Sequence, residues 1–368
     1  MEVISEIRNH VAFITLNRPG ALNALSLGMI QRLRALFSQY SADAEVYAVL
    51  ITGAGDKAFC AGGDIRALYR SFKDAGSLHS EFFTAEYPLD YQLYSYPKPY
   101  LVLMDGITLG GGLGLAQGSS FRIVGERTQM AMPEVAIGFF PDVGGSYFLS
   151  RLPGRLGTYL ALTGVQIQAA DARYCQLADV HLAPDAIASI IRDLSDLRWS
   201  HDRVADLRRF LQARAATAIS PPLAALRTAI DAHFSQPTVL RILASLDSET
   251  RGEYAGWARE TVQIMRSRSP TMVSVTLRQL QRGAALNLAA CFRMELGMAA
   301  HCFEQGDFIE GVRAVLIDKD NLPRWRPDRL EDVTEKMIED FFRERWAADA
   351  HPLAALESQR IDLAPEGS

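Results

Sequence analysis

The distribution of hydrophobic and polar residues predicts a chain that begins with strands alternating with helices. Residues 3–16 contain two strand-like segments around a polar turn, which predicts a β-hairpin. Residues 46–52 and 100–104 are apolar runs of strand length. Apolar residues at helical spacing predict helices over residues 26–38, with Ser26 as the N-cap, and over residues 80–95. Strands that are followed by a glycine-rich loop and a helix favour parallel pairing, and therefore an α/β fold.

The second half of the chain shows a different pattern. From residue 183 onward strand signals become rare and helical periodicity dominates, with breaks at Pro221-Pro222, Pro237 and Pro270. We therefore predict a core over residues 1–200 that holds the ligand site and a mostly helical region over residues 201–368. Before that boundary we expect short strands at 121–124 and 128–131, and short helices at 146–152, 155–162 and 169–176.

The segment 132–145 places two carboxylates in an apolar run. Burying a bare carboxylate costs on the order of several kcal/mol unless it is paired or kept for chemistry, so Glu134 and Asp142 are the first candidates for a reactive site. Each follows a proline, and three glycines interrupt any regular element, which predicts an ordered loop. The alternatives are a helix-capping or ion-paired role for Glu134 and a turn-capping role for Asp142.

Two glycine-containing segments each follow a predicted strand and precede a helix. The first is the small-residue loop 58–66, with Asp64 as the cap of the following helix, and the second is Gly110–Gly114. Neither matches a phosphate-binding loop, and close packing of helix and strand explains either one alone better than contact with a ligand does. Together they can supply two backbone N–H groups to a developing oxyanion.

Composition restricts the classes of partner. The chain of 368 residues is 48% hydrophobic and 22% charged, and its formal net charge is -5. This mildly acidic charge does not favour binding of nucleic acid. The four cysteines and seven histidines show no metal-ligand spacing, and no apolar run reaches membrane-spanning length. We expect a cytoplasmic protein with a small-molecule substrate and without a metal, a nucleic-acid partner or a membrane partner. A small anionic ligand and a homo-oligomer both stay open.

Three segments, in this order, resemble the crotonase, or enoyl-CoA hydratase/isomerase, superfamily: 57–65, 106–114 and 132–134. The resemblance implies a crotonase-type ββα spiral core and an acyl-CoA substrate. It assigns the oxyanion-binding N–H groups to Gly63 and Gly111, and it implies substrate contacts for their neighbours Gly62, Asp64 and Ile65. Arg18, Lys57 and Arg66 are candidates for contacts to the CoA phosphates, or else surface charges.

One position departs from the hydratases of that superfamily. Their second catalytic glutamate corresponds to Gly114, which has no side chain, while this chain carries Asp142 eight residues after Glu134. The pattern from Pro133 to Gly145 resembles the thioester-hydrolysing branch. Further segments resemble that branch as well: 82–87, which contains the expected substrate-contacting Glu86, and 269–271, 276–280 and 307–320.

The resemblance implies hydrolysis of 3-hydroxyisobutyryl-CoA, or of a close short 3-hydroxyacyl-CoA, to the hydroxy acid and CoA, as in valine breakdown. Glu134 would attack the carbonyl or activate a water, Asp142 would assist proton transfer, and Glu86 would recognise the hydroxyl. No cofactor is expected, since CoA belongs to the substrate and product. The alternatives are an enoyl-CoA hydratase or isomerase that uses Glu134 alone, and a non-catalytic acyl-CoA-binding protein.

Overall fold

The computed structural model of the protein describes residues 1–217 and 219–358. The last residues of the chain, for which the composition of 364–368 predicts fraying, lie outside the described residues.

The strands form two sheets. The larger sheet has the order β1-β2-β3-β5-β7-β10, in which β1 pairs antiparallel with β2 and every other pairing is parallel. The smaller sheet has the order β4-β6-β8-β9, parallel except for the last pair. The strands are β1 (Val3–Arg8), β2 (Val11–Leu16), β3 (Ala48–Gly53), β4 (Ala58–Cys60), β5 (Tyr100–Met104), β6 (Ile107–Leu109), β7 (Phe121–Val124), β8 (Gln129–Ala131), β9 (Ile167–Gln168) and β10 (Val180–His181).

The chain passes between the two sheets in each repeat of the spiral. Strands β3, β5 and β7 of the larger sheet lead directly into β4, β6 and β8 of the smaller one, and a helical element follows each pair. This arrangement confirms the predicted α/β spiral core and the parallel pairing. The α-helices are α1 (Leu27–Ala42), α2 (Ile65–Lys73), α3 (Leu78–Tyr94), α4 (Gly111–Gln117), α5 (Gly145–Phe148), α6 (Leu156–Thr163), α7 (Ala169–Tyr174), α8 (Pro184–Ser195), α9 (Arg203–Gln212), α10 (Pro222–His233), α11 (Val239–Asp247), α12 (Gly252–Arg266), α13 (Pro270–Gly283), α14 (Leu288–Gln305), α15 (Asp307–Val312) and α16 (Glu335–Asp340).

Several local predictions are confirmed and some are wrong. The Ser26 side chain caps α1 by accepting a hydrogen bond from the Met29 amide, although α1 continues to Ala42 rather than ending at Ser38. The segment 58–60, predicted as part of a loop, is strand β4. The sequence pattern does not predict strand β6 either, because strands of three residues are too short to show a period of two. The predicted loop 132–145 contains a 3-10 helix over Glu134–Ile137.

Helices cover both faces of the larger sheet, and this explains why its central strands read as continuous apolar runs. In β3, Val49 and Ile51 face the main core, whereas Ala48 and Leu50 face a second cluster that contains apolar residues of α8 and α9. The main core extends from the first strand to Leu356, so the C-terminal helices pack on the spiral. Each strand of the described chain lies before residue 182. The boundary at residue 200 stays a prediction.

Candidate active site

Three neighbouring parallel strands of the smaller sheet bring the three predicted motifs to one edge. Strand β4 leads to Gly62-Gly63, β6 leads to Gly110-Gly111, and β8 leads to Glu134. Because the carboxyl ends of parallel strands meet at the same sheet edge, segments distant in sequence become neighbours in space. The candidate active site therefore lies at this edge.

The amides of Gly63 and Gly111 lie next to each other. A Cβ atom built on Gly111 would lie 3.5 Å from the Gly63 amide nitrogen, and one built on Gly62 would lie 3.3 Å from the Gly111 amide nitrogen. Gly62 and Gly110 have positive φ angles of 90° and 46°, a conformation that glycine adopts at little cost. Neither amide has a hydrogen-bond acceptor within residues 1–217 and 219–358. Two free N–H groups thus face one location.

Two buried carboxyl groups flank this pair of amides. Oε1 of Glu134 lies 2.7 Å from a Cβ built on Gly110, and Oε1 of Glu86 lies 2.6 Å from one built on Gly111. Oε2 of Glu134 and Oε1 of Glu86 have no hydrogen-bond partner in the described part of the chain. Both side chains therefore have an oxygen available to a ligand, and any side chain on Gly110 or Gly111 would obstruct that space.

Asp142 lies close to both glutamates. Its Oδ2 accepts a hydrogen bond of 2.8 Å from the Tyr87 hydroxyl. Burial raises the pKa of Asp142 to about 7, although the hydrogen bond from Tyr87 opposes this rise. Burial also raises the pKa of Glu134, and the negative charge of Asp142 raises it further. For Glu86, burial is again the larger cause of its raised pKa, followed by the charges of Asp142 and Glu134. The three carboxyls cannot all ionise easily, so they form an acid-base group able to hold protons near neutral pH.

The loop that carries Asp142 is held by two C-terminal helices. Glu295 of α14 accepts hydrogen bonds of 2.8 Å from the amides of Gly144 and Ser146. Gln279 of α13 donates to the carbonyl of Pro141 at 2.6 Å and to the hydroxyl of Ser146 at 2.8 Å. Sequence patterns assign no role to Glu295 or Gln279. A polar residue inside an apolar helical run was the only available signal, and it does not identify a partner.

The space beside Gly114 is occupied by Val143. A Cβ atom on Gly114 would lie 2.7 Å from Cβ of Val143. Val143 itself has a φ angle of 51°, which is an outlier for a β-branched residue and costs on the order of 1–3 kcal/mol. The position at which hydratases are expected to carry a second glutamate is therefore closed by a strained neighbour of Asp142.

The remaining residues predicted for substrate binding make contacts within the protein. Asp64 caps α2 through the Ala67 amide at 3.2 Å and pairs with Arg18 at 2.9 Å. Arg18 also pairs with Glu2, so its guanidinium is already engaged. Ile65 is half-buried at the start of α2. Lys57 and Arg66 are exposed. Contacts of these residues to the substrate stay predictions.

Among the described residues, no group of three or more His, Cys, Asp or Glu side chains is arranged to hold a metal ion. A helix both long and apolar enough to cross a membrane is likewise not found in that part of the chain.

Comparison with known proteins places this geometry in a family. The enoyl-CoA hydratase/isomerase family model matches residues 11–342. A Xenopus laevis protein named 3-hydroxyisobutyryl-CoA hydrolase, mitochondrial, is 42% identical over 339 residues, covering 91% of this chain and 87% of the relative. That name offers no support for the predicted cytoplasmic location, which stays a prediction.

Two solved structures share the whole fold. A carnitinyl-CoA dehydratase from Mycobacterium thermoresistibile is 39% identical with a TM-score of 0.86, covering 93% of this chain and 96% of that one. An enoyl-CoA hydratase from Rhodobacter sphaeroides 2.4.1 is 34% identical with a TM-score of 0.83, covering 93% and 97%. These matches confirm the resemblance predicted from the three motifs, and the chain belongs to the enoyl-CoA hydratase/isomerase family.

Proposed function

We propose that the protein hydrolyses the thioester bond of 3-hydroxyisobutyryl-CoA, or of a close short 3-hydroxyacyl-CoA, to the free hydroxy acid and CoA. The observation that carries this proposal is the location of the second carboxyl group. Val143 occupies the space beside Gly114, while the carboxyl of Asp142 lies near Glu134. Water addition to a double bond needs an acid and a base on separate tasks, and that second glutamate is missing. The name of the Xenopus laevis relative supports the same reaction, and a step in valine breakdown would follow from it.

The amides of Gly63 and Gly111 would bind the thioester carbonyl oxygen. Their N–H groups have no acceptor in the described structure and lie just after strands β4 and β6. Such preorganised donors stabilise the oxyanion, and loss of one typically costs roughly 2.7–4 kcal/mol of transition-state stabilisation.

Glu134 would then act on the carbonyl carbon. Its ionised carboxyl either attacks directly and forms a mixed anhydride, which water later hydrolyses, or removes a proton from the attacking water. In both routes the C–S bond breaks and the CoA sulfur receives a proton. Asp142, with a pKa of about 7, would assist this proton transfer.

Glu86 would recognise the 3-hydroxyl group of the acyl chain. Its Oε1 has no protein partner and lies beside the oxyanion position. A buried group that a substrate hydroxyl satisfies is left unpaired by an analogue without the hydroxyl, and this discriminates strongly between the two. The proposed reaction uses no cofactor, because CoA is part of the substrate.

The test compares two assays on the same preparation: thiol release from 3-hydroxyisobutyryl-CoA and water addition to crotonyl-CoA. We expect thiol release, and we expect Glu134→Gln to abolish it while CoA-ester binding persists in calorimetry. Label from oxygen-18 water that appears in Glu134 after a single turnover would establish the anhydride route.

The hydratase alternative is favoured by one specific observation, the names of the two solved structures. Rapid hydration of crotonyl-CoA without thiol release would establish it and exclude the hydrolase. A non-catalytic acyl-CoA-binding protein would show neither activity, and Glu134→Gln would then change nothing but binding.

A further inference from the structure

A line of polar groups runs along the buried face of α3, away from the candidate active site. Glu86, Asp90 and Tyr94 are spaced four residues apart, which places them on one face of the helix over about 12 Å. We call these three residues the α3 stripe. Its first member, Glu86, lies beside the oxyanion position, and its last member, Tyr94, ends the helix.

Four buried polar atoms of the α3 stripe lack a hydrogen-bond partner within residues 1–217 and 219–358. In the described part of the chain, Oε1 of Glu86, both carboxyl oxygens of Asp90 and the hydroxyl of Tyr94 are buried without a hydrogen-bond partner. Asp90 is 0% exposed. Leaving one such atom without a hydrogen bond costs about 1–3 kcal/mol. Four neighbouring oxygen atoms without hydrogen bonds would therefore cost too much if the stripe had only a packing role. Buried polar groups without protein partners are where proteins hold ordered water.

Two glycines, Gly114 and Gly144, lie beside the α3 stripe. A Cβ atom on Gly114 would lie 3.0 Å from Oδ2 of Asp90, so the glycine that removes the second glutamate also keeps a side chain at position 114 away from this carboxyl. At the other end, the hydroxyl of Tyr94 lies 3.7 Å from a Cβ built on Gly144. Arg122, whose side chain is 20% exposed, lies near enough for its charge to act on Tyr94. The stripe therefore extends from the site toward Arg122, a partly exposed side chain.

The proposed reaction creates a need for such a path. Hydrolysis consumes one water: the C–S bond breaks, a C–O bond forms, one proton goes to the CoA sulfur, and the other leaves because the hydroxy acid ionises at neutral pH. Each turnover releases one proton inside a site whose carboxyls are buried and already repel one another. That proton has to leave the site before the next turnover.

We propose that the α3 stripe, with bound water between its members, conducts the released proton from Glu86 through Asp90 to Tyr94 and the surface. This inference rests on the proposed thioester hydrolysis. Burial raises the pKa of Asp90 well above its usual range, and the charge of Glu86 is the next cause, as expected for a carboxyl that accepts a proton easily. In the described part of the chain, the titratable or charged groups of other elements that act on the stripe are Glu134 and Asp142 of segment 132–145, Glu295 of α14, Arg122 of β7 and Tyr147 of α5. The carboxyls of the stripe in turn add to the raised pKa of Cys60 in β4 and of Tyr100 in β5, for which burial is the larger cause.

The kinetic test uses Asp90→Asn and Tyr94→Phe, with Tyr96→Phe as the matched control. Tyr96 also has a buried hydroxyl without a partner in the described structure, but it follows α3 and packs against Phe37, outside the stripe. We expect both stripe variants to lower kcat for thiol release by about tenfold or more, since a proton-transfer step contributes roughly 10²–10⁴-fold. We expect KM to be unchanged and the solvent isotope effect on kcat to increase. The control should match the original protein.

A purely structural role would lower stability or raise KM without changing the isotope effect. If either stripe variant keeps the original kcat and isotope effect, proton conduction by the α3 stripe is refuted. A crystal structure of the unsubstituted protein gives a second, independent measurement: ordered waters within hydrogen-bond distance of Asp90 and Tyr94 are required, and a dry stripe refutes the proposal. If the unsubstituted protein releases no thiol, the proposed function fails, and the crystallographic result still decides whether the stripe holds water.

Discussion

Replacing Asp142 with asparagine should make the protein more stable at alkaline pH while it loses activity. Asp142 is buried, and its carboxyl accepts the hydrogen bond from Tyr87. An asparagine carbonyl at this position can accept the same bond and carries no charge. The substitution therefore removes the ionisation with little change in shape.

The expected magnitude follows from the raised pKa of Asp142. Its pKa is about 7 in the folded protein, against an ordinary value of 3.8, so the folded state binds this proton more tightly than the unfolded state does. The free energy of unfolding therefore falls as the pH rises from about 4 to about 7 and is constant above that range. At 1.36 kcal/mol per pH unit, the loss is about 4 kcal/mol, and the asparagine variant avoids it.

The assay is urea unfolding of both proteins at pH 5 and pH 8.5. We expect the free energy of unfolding of Asp142→Asn to exceed that of the original protein by up to about 4 kcal/mol at pH 8.5 and by much less at pH 5. Asp185→Asn is the control, because it makes the same substitution at an exposed position outside the site. Parallel pH curves for Asp142→Asn and the original protein would refute the argument that burial of this carboxylate opposes folding.

Three further predictions follow from contacts around the site. Tyr87→Phe removes the hydrogen bond that lowers the pKa of Asp142, so the acid limb of the kcat/KM pH profile should move up by about one pH unit; an unmoved limb would separate Asp142 from catalysis. Gly114→Glu should lower the free energy of unfolding by about 1–3 kcal/mol and yield no crotonyl-CoA hydration, because its Cβ would lie 2.7 Å from Cβ of Val143; a stable, hydrating variant would contradict this. Glu295→Leu leaves two buried amides without an acceptor and should cost about 2–6 kcal/mol in urea unfolding, whereas an unchanged midpoint would show that the loop does not need α14.

Local features of the sequence are sufficient to predict several helices and strands and to recognise the family. The hairpin of β1 and β2, the cap at Ser26 and the strand 100–104 depend on neighbouring residues alone, so periodicity and capping rules predict them. The three motifs could be recognised for the same reason. Strands β4 and β6 could not be predicted, because they exist only through pairing with each other and with β8.

By itself, the sequence determined that Glu134 and Asp142 lie in an apolar segment, that two glycine-rich loops follow strands, and that position 114 carries no side chain. Only the tertiary structure decided how these features combine. Long-range packing brings the α3 stripe, Gln279 and Glu295 against the carboxylate segment and places Val143 beside Gly114. The physical reason is that a carboxyl group's pKa and its unpaired oxygens depend on burial and on charges from distant elements, and a local pattern carries no information about either.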